Sequence, residues 1–382
     1  MPSPHEKLGR GRSWMWCVKT VKWFPVIFIV SVILWSYYAY VIQLCFFVIP
    51  FGLQKALYII LYHGFLFFFL WSYFQTIFTS NGRVPVQFRL PATELDRLMQ
   101  AESDEAKIQV VKRFAQNLPV SNRTTTGAIR FCEVCQHVKP DRAHHCSVCG
   151  DCVLKMDHHC PWVNNCVSFS NYKFFILFLG YALIYCLFIA LTTLQFFIKF
   201  WKGEMDGVSH FHILLLFFVS IMFALSLVSL FGYHLYLVAH NRTTLESFRP
   251  PVFQIGPDKN GFSLGKFNNF QEVFGDNKKT WLLPVYSSLG DGVVFPARAQ
   301  HQSNLYSSMG STHNSLGDGV TYPQRCIDED TDTLLGGCQR WDDQENGCSR
   351  WNDPEEAFSR IAFSEHADSD SSTVHPEIMI VD

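Results

Sequence analysis

The sequence contains little charge for its length: Asp, Glu, Lys and Arg form 17% of its 382 residues, against roughly 25% in ordinary soluble domains. Charged side chains are absent altogether from four stretches, residues 23–54, 56–82, 174–198 and 207–241. Each stretch exceeds the roughly 20 apolar residues that a helix needs to cross a bilayer. These absences disfavour a soluble protein, in which the stretches would be buried helices, and predict four transmembrane helices.

A cleavable signal peptide is also not expected, because the first apolar stretch is too long for such a segment and lacks a clear small-residue cleavage site. Basic residues flank the stretches unequally. Five Lys or Arg precede the first and twelve lie between the second and third, whereas only Lys55 separates the first two, and Lys199 and Lys202 follow the third. The positive-inside rule then places both termini and the central loop in the cytosol, where clustered cysteines bind metal more often than they form disulfides.

Residues 132–166 hold seven of the thirteen cysteines and five of the fifteen histidines. Two interleaved sets share one spacing, in which Cys-x2-Cys is followed after nine residues by His and after six more by Cys. The sets are Cys132, Cys135, His145 and Cys152, and Cys146, Cys149, His159 and Cys166. Three thiolates and one imidazole suit a tetrahedral structural zinc with no open position. The spacing predicts two structural zinc ions; the alternative is that some of these cysteines are small buried hydrophobes.

Cys160 is left without a metal. When the two sets are aligned, Ala-His-His-Cys at residues 143–146 matches Asp-His-His-Cys at residues 157–160, so the second copy has gained Asp157. His158 is then free to act as a base on Cys160, with Asp157 orienting the imidazole, which is a nucleophile, base and orienter arrangement. A neighbouring histidine favours the thiolate, which can attack a thioester. The alternative, that Cys160 is a spare ligand, is disfavoured because neither set lacks one.

The third apolar stretch begins fourteen residues after Cys160, so the thiol is expected near the bilayer surface. On that stretch Phe175, Phe178 and Tyr185 share one helical face. In the first stretch Ser36 is an unusually polar residue for the middle of a membrane. Helix packing explains these residues, and so does a cavity for an acyl chain.

Several of these segments together resemble the DHHC protein S-acyltransferases. They are Asp-His-His-Cys-Pro-Trp at residues 157–162, the cysteine-rich module, the four apolar stretches, Thr-Thr-x-Glu at residues 243–246 and the aromatic segment that ends near Phe274. The resemblance covers about residues 15–295, and Ser168 departs from it where the family usually has Gly. It implies transfer of palmitate from palmitoyl-CoA, or another long-chain acyl-CoA, to protein cysteines in two steps.

The resemblance also implies roles for individual residues. Cys160 would be the acylated nucleophile, His158 the base and Asp157 its orienter. The other expected roles are bracing of the active site by Thr243, Thr244 and Glu246, and anchoring of the carboxy-terminal element by Asn269. Candidates for the acyl-chain wall are Trp162, Phe175, Phe178, Tyr185 and Ser36. Arg130, Lys139 and Arg142 are candidates to bind the anionic CoA end or, alternatively, lipid phosphates.

The predicted fold class is an all-α polytopic membrane protein with four transmembrane helices and a cytosolic two-zinc cysteine-rich domain between helices 2 and 3. The expected segments are a cytosolic amino terminus (1–22), helices 1 and 2 (23–82), cytosolic linker helices (83–127), the catalytic cysteine-rich domain (128–173), helices 3 and 4 (174–241), a carboxy-terminal element docked on the membrane domain (242–295) and an acidic, disordered tail (296–382).

The tail, rich in Asp, Glu and Ser, contains Leu334 and Leu335 four residues after Asp330, a spacing typical of acidic dileucine sorting signals and also common by chance. The expected partners are acyl-CoA, cytosolic or membrane-associated proteins with reactive cysteines, the lipid bilayer and sorting adaptors, with no nucleic acid. The Golgi is the expected location, with the endosome or plasma membrane as alternatives.

Two other functional classes fit parts of the sequence. A non-enzymatic zinc-bearing membrane scaffold or sorting adaptor needs the eight ligands but has no use for Asp157, His158 or Cys160. A zinc-bearing ubiquitin ligase needs interleaved sites of different spacing and has no use for an acyl cavity.

Overall fold

The computed structural model describes residues 20–203 and 209–296. Most of the predicted amino-terminal segment and nearly all of the acidic tail, including Leu334 and Leu335, lie outside these residues.

The helices are α1 (Phe24–Tyr37), α2 (Gly52–Phe78), α3 (Ala92–Gln100), α4 (Asp104–Phe114), α5 (Tyr172–Trp201), α6 (Ser209–Ala239), α7 (Thr244–Phe248) and α8 (Lys266–Phe274). A π-helical segment (Tyr38–Val48) continues α1, and short 3-10 turns lie at Val86–Phe88, Ala115–Asn117 and Lys278–Thr280. The strands are β1 (Phe131–Cys132), β2 (His137–Val138), β3 (His144–Cys146), β4 (Asp151–Val153), β5 (His158–Cys160), β6 (Asn165–Val167), β7 (Val252–Phe253) and β8 (Gly256–Pro257).

Four helical segments are long and apolar enough to cross a membrane: Phe24–Val48, α2, α5 and Phe211–Ala239. This confirms the prediction of a helical protein with four membrane spans. Helix α5 is the most buried of the four within the protein and packs against both α2 and α6. It therefore forms the centre of the bundle, and its first turn follows the cysteine-rich module directly.

The link between the first two spans differs from the prediction. The first span ends at Val48 and α2 begins at Gly52, so Lys55 lies in the first turn of α2 rather than in the link. The cause is Pro50, because a residue before proline avoids the helical conformation, and Ile49 is extended with ψ 113°. The Lys55 ammonium lies 5.8 Å from the centre of the Phe46 ring.

Three short antiparallel hairpins form the cysteine-rich module. They are β1–β2, β3–β4 and β5–β6, and they pair in equivalent registers. The third hairpin is fastened to the end of α2 by Asn165, whose side-chain nitrogen donates to the carbonyls of Thr76, Ile77 and Thr79 at 2.9–3.1 Å. These bonds satisfy carbonyls that a helix end leaves without partners, and they fix the module against the membrane bundle.

The segment after α6 is fastened to the bundle by two buried polar side chains. Asn269 donates to the carbonyl of Ala239, the last residue of α6, at 2.7 Å. Lys173, in the first turn of α5, donates to the carbonyls of Thr280 and Val285 and to the hydroxyl of Ser287 at 2.7–3.0 Å. The carboxy-terminal element therefore docks where the third and fourth spans meet the module.

Candidate active site

All eight predicted ligands fall into two clusters that could hold a metal ion. In the first cluster the His145 Nδ1 atom lies 3.7, 3.3 and 3.9 Å from the sulfurs of Cys132, Cys135 and Cys152. In the second, the His159 Nδ1 atom lies 3.7, 3.5 and 3.6 Å from those of Cys146, Cys149 and Cys166. A tetrahedral zinc with Zn–S about 2.3 Å and Zn–N about 2.0 Å holds such atoms about 3.5 Å apart. Both donor sets therefore fit zinc.

Cys160 occupies a position that belongs to a metal ligand in the other two hairpins. Cys132, Cys146 and Cys160 are opposite His137, Asp151 and Asn165 across the three hairpins. The residue three positions after each of these cysteines differs among the hairpins: it is Cys135, Cys149 or Val163. The residue that follows, however, has a positive φ in all three hairpins, at Gln136, Gly150 and Asn164. The third hairpin thus keeps the turn of a zinc knuckle but has a fully buried valine in place of its second cysteine, which leaves Cys160 free.

His158 and Asp157 form a hydrogen-bonded pair beside this free thiol. The His158 Nδ1 atom lies 2.6 Å from Asp157 Oδ2, and the ring interacts with the Cys160 thiol two residues further along the same strand. Asp157 is 1% exposed. It accepts two more bonds from Thr244, from the backbone N–H at 2.8 Å and from the hydroxyl at 2.7 Å. The three predicted catalytic side chains are therefore brought together, and the carboxylate is held from both sides.

The pair is charged at neutral pH. Burial lowers the pKa of His158, but its bonds to Asp157 and Cys160 outweigh burial and raise that pKa to about 9. Burial raises the pKa of Asp157, yet the bonds from His158 and Thr244 outweigh burial here also, and the pKa lies below its usual value. The site therefore places a positively charged imidazolium beside Cys160.

Thr244 reaches Asp157 because the chain turns sharply after α6. Asn241 takes the left-handed conformation with φ 48°. Thr243 then caps α7: its hydroxyl accepts from the Glu246 backbone N–H, while the Glu246 carboxylate accepts from the Thr243 N–H at 2.9 Å. This capping box sets the direction of the helix start and presents the Thr244 N–H and hydroxyl to the carboxylate.

The prediction that Arg142 meets CoA is contradicted by its surroundings. Its side chain is 0% exposed and binds both carboxylate oxygens of Glu246 at 2.8 and 2.7 Å. The remaining donors reach the side-chain and backbone oxygens of Asn241, each at 2.9 Å. A guanidinium enclosed in this way cannot reach a ligand outside the protein, so Arg142 instead fixes the turn that carries Thr244.

The other two basic candidates have different environments. Lys139 is buried, at 7% exposed. Arg130 is partly exposed and donates to the Ala143 carbonyl at 2.6 Å, with His144 Nδ1 at 3.5 Å. Of the three candidates, Arg130 has the most accessible position.

Three of the five predicted acyl-chain residues, Phe175, Phe178 and Tyr185, lie in one buried cluster that includes Cys160. The Phe175 and Phe178 ring centres are 6.2 Å apart, and Phe69 bridges the rings of Phe178 and Tyr185 at 5.8 and 5.4 Å. Beyond them, the hydroxyls of Tyr185 and Ser36 are 2.6 Å apart. A continuous aromatic column thus runs from the thiol into the membrane bundle.

Trp162 stands at the outer end of this column. Its side chain is 49% exposed, its ring centre lies 6.4 Å from that of Phe28 in α1, and its carbonyl accepts from the Tyr73 hydroxyl at 2.9 Å. The tryptophan therefore marks the rim between the module and the first two spans.

Several residues around the site were not predicted from the sequence. His234 on α6 is 2% exposed, and a nitrogen of its ring lies within 4.8 Å of ligand atoms of both Asp157 and His158. Lys155 and Glu272 form an ion pair at 2.6 Å next to Asn241. No local pattern in the sequence marks Asn241 for this role. A histidine among apolar residues late in α6 was the one available signal for His234.

Comparison with known proteins agrees with this geometry. Residues 125–250 match the family model described as DHHC palmitoyltransferase. Palmitoyltransferase ZDHHC20-A of Danio rerio is 54% identical over 283 residues, which cover 74% of this chain and 79% of that protein. Palmitoyltransferase ZDHHC20 of Homo sapiens is 50% identical over a region that covers 75% of this chain and 79% of that protein. Palmitoyltransferase ZDHHC15 of Rattus norvegicus is 54% identical over a region that covers 75% of this chain and 86% of that protein. The chain therefore belongs to the DHHC palmitoyltransferase family.

Proposed function

We propose that this palmitoyltransferase moves a long fatty acyl group from acyl-CoA to cysteines of membrane-associated proteins through a thioester on Cys160. The observation that carries the proposal is the buried Asp157 carboxylate. It accepts from His158 and twice from Thr244, and His158 interacts with the free thiol of Cys160 on the same strand. A non-enzymatic scaffold has no need for a histidine held in this way.

In the first step the Cys160 thiolate attacks the carbonyl carbon of the acyl-CoA thioester. A new carbon–sulfur bond forms, and the bond to the CoA sulfur breaks with its electron pair leaving on that sulfur. The His158 imidazolium supplies a proton to the leaving thiolate. Asp157 keeps the ring oriented while its charge changes.

In the second step neutral His158 takes the proton from the thiol of the protein substrate. The resulting thiolate attacks the acyl carbon on Cys160, and Cys160 leaves as a thiolate beside the newly formed imidazolium. The site returns to its starting charge state. A thioester is exchanged for a thioester in each step, so neither step requires an external energy source.

The eight ligands of the two Cys3His clusters are proposed to hold two structural zinc ions. When bound, zinc supplies folding free energy rather than chemistry, because all four positions at each ion would be filled by protein. The hairpin that carries His159 and Cys166 also carries His158 and Cys160, one on each side of His159. Loss of a ligand such as His145 would therefore displace the site together with the fold.

The aromatic column from Phe175 to Ser36 is proposed to receive the acyl chain. Burying the chain is favourable by roughly 0.8 kcal/mol per CH2, and the rings would shift to admit it. Tyr62 joins the hydroxyls of Ser36 and Tyr185, at 2.7 Å from the latter. These three hydroxyls lie across the inner end of the column and would limit the length of the acyl chain. Because phenylalanine is larger than serine, Ser36→Phe would shorten the space for the chain and is expected to favour shorter acyl groups.

The acyl donor is proposed to approach from the cytosol, with both termini and the module on that side, because most basic residues flank the spans there. Arg130 is the proposed contact for the CoA phosphates. Golgi localisation and adaptor binding at Leu334 and Leu335 belong to the same proposal and rest on the sequence alone.

Intact-protein mass spectrometry after incubation with palmitoyl-CoA tests the central step. Wild-type protein in detergent is expected to gain one palmitoyl group that hydroxylamine removes and that peptide mapping places on Cys160. Cys160→Ser should gain none and transfer none, whereas Cys186→Ser, a control at a thiol outside the zinc clusters, should behave like wild type. Normal transfer by Cys160→Ser would overturn the proposal.

A further inference from the structure

A third group of metal-binding side chains lies beside the first Cys3His cluster. It consists of Cys135, His137 and Asp151, whose ligand atoms lie within 4.8 Å of one another. Cys135 also belongs to the first cluster, and its sulfur is 3.8 Å from Asp151 Oδ1. The group therefore combines a shared sulfur, an imidazole nitrogen and a carboxylate oxygen.

The His137 ring has an unused nitrogen. Its Nδ1 atom lies 3.1 Å from the Val138 carbonyl. Within the part of the chain that the structure describes, its buried Nε2 atom has no hydrogen-bond partner, although the residue is only 7% exposed. Leaving such a nitrogen buried and unpaired costs roughly 1–3 kcal/mol, a cost that a metal–nitrogen bond would remove.

The electrostatics of the cluster also favour a cation. With zinc in the first cluster, Cys135 is a thiolate and cannot donate a hydrogen bond to Asp151. A carboxylate and a thiolate then stand 3.8 Å apart, and two negative charges at this distance repel each other. A cation between them would turn this repulsion into attraction.

The three hairpins show that this arrangement does not follow from the hairpin geometry alone. His137, Asp151 and Asn165 occupy equivalent positions, opposite the first cysteine of each turn. Asn165 uses its amide to bind the end of α2. His137 and Asp151, in contrast, converge on the sulfur of Cys135 from two different hairpins.

We infer that Cys135, His137 and Asp151 form a third cation site, which takes a zinc-like divalent ion and shares the Cys135 thiolate with the first structural zinc. Mixed sulfur, nitrogen and oxygen donors suit zinc or cadmium. Three protein ligands leave one position open to water, so the ion at this site exchanges more readily than the two enclosed ones. The inference assumes zinc in the first Cys3His cluster and does not depend on acyl transfer.

Equilibrium dialysis of the full-length protein against Zn2+, with metal content measured by mass spectrometry, tests the inference. Protein that begins with two zinc ions per chain is expected to reach three. Asp151→Asn and His137→Ala should keep two and weaken the third by at least about tenfold. Asp104→Asn, which removes an exposed carboxylate elsewhere, should reach three like wild type.

Two results would overturn the inference. In the first, the wild-type protein stays at two zinc ions per chain. In the second, both variants bind the third ion with unchanged affinity, and this result would mean an adventitious ion only. If His137→Ala does not fold, Asp151→Asn carries the test, because Asp151 is exposed and an asparagine oxygen can still accept from the Cys152 N–H. X-ray absorption of the dialysed protein with Cd2+ as the third ion should show a sulfur ligand and a neighbouring metal.

Discussion

The second and third hairpins of the module share a backbone and differ in chemistry. His144 pairs with Val153 in one and His158 with Val167 in the other, at equivalent registers. Burial and the nearby cations, Arg130 first, lower the pKa of His144 well below its usual value. The bond to Asp157 has the opposite effect on His158 and raises its pKa to about 9. The difference shows that neighbouring residues, and not the hairpin, set the pKa of each histidine.

The comparison extends to the residues that precede the hairpins. Arg142 and Met156 occupy equivalent positions, as do Ala143 and Asp157. In the first copy the charged residue is Arg142, which holds the turn after α6; in the second it is Asp157, which receives Thr244 from that same turn. One repeat therefore supplies the support and the other the proposed reacting groups.

Replacing Asp157 by alanine, the residue of the first copy, should have the largest effect. Without its orienting carboxylate His158 loses both its fixed tautomer and its charge stabilisation, and autoacylation should fall on the order of 10³- to 10⁴-fold. Single-turnover thioester formation with palmitoyl-CoA measures this loss, with zinc content as the control for folding. A rate within tenfold of wild type would show that the two hairpins do not differ in the proposed way.

Arg142→Met gives the first copy the residue that the second copy has at the equivalent position, Met156. It leaves the buried Glu246 carboxylate without its ion pair, so the free energy of unfolding should fall by about 3–5 kcal/mol. Denaturant unfolding in detergent measures this change. The double variant Arg142→Met with Glu246→Leu should recover part of the loss, because no unpaired charge remains, and a double variant less stable than the single one would contradict this explanation.

Thr244→Val should have a smaller effect on catalysis. The variant loses the hydroxyl bond to Asp157 but keeps the backbone N–H bond, so autoacylation should fall by roughly tenfold, as expected for one bond to a charged group. Thr244→Ser retains the hydroxyl and should match wild type. A loss in Thr244→Ser as large as that in Thr244→Val would show that the hydroxyl bond does not explain the effect.

The pH dependence of stability should show the smallest effect. Because the folded-state pKa of His158, about 9, exceeds its unfolded value of about 6.5, the pair with Asp157 stabilises fully below pH 6.5, and this contribution is lost as pH rises through about 9. The melting temperature of wild type should exceed that of Asp157→Asn by roughly 2–4 °C at pH 6.5, and the gap should close near pH 9.5. A gap independent of pH would exclude this contribution.

The parts of the site that are local in sequence could be predicted. The eight proposed zinc ligands repeat at fixed spacings within 35 residues, and Asp157, His158 and Cys160 are nearly consecutive. Four apolar stretches likewise predict four spans, because bilayer thickness dictates their length. The third hairpin escaped attention because Val163 replaces the cysteine that would have marked its turn.

Long-range partnerships could not be predicted. Arg142 meets Glu246 across 104 residues, and Lys155 meets Glu272 across 117. A basic residue in a module expected to bind CoA suggests an anion site, and only the fold shows that the guanidinium faces inward. Asn241 carries no distinguishing local pattern, and His234 is marked only by its place among apolar residues, because the significance of both comes from what the fourth span brings beside them.

The bonds from Thr244 to Asp157 have a consequence for the order of synthesis. Translation proceeds from the amino terminus, so the complete set of zinc ligands and Cys160 emerge before residues 241–246 exist. A nascent chain at that stage has its nucleophile but lacks two of the three donors that hold the carboxylate. The last span and the turn after it must join the module before Asp157 is held from both sides, so under the proposed mechanism acylation competence marks a finished membrane domain.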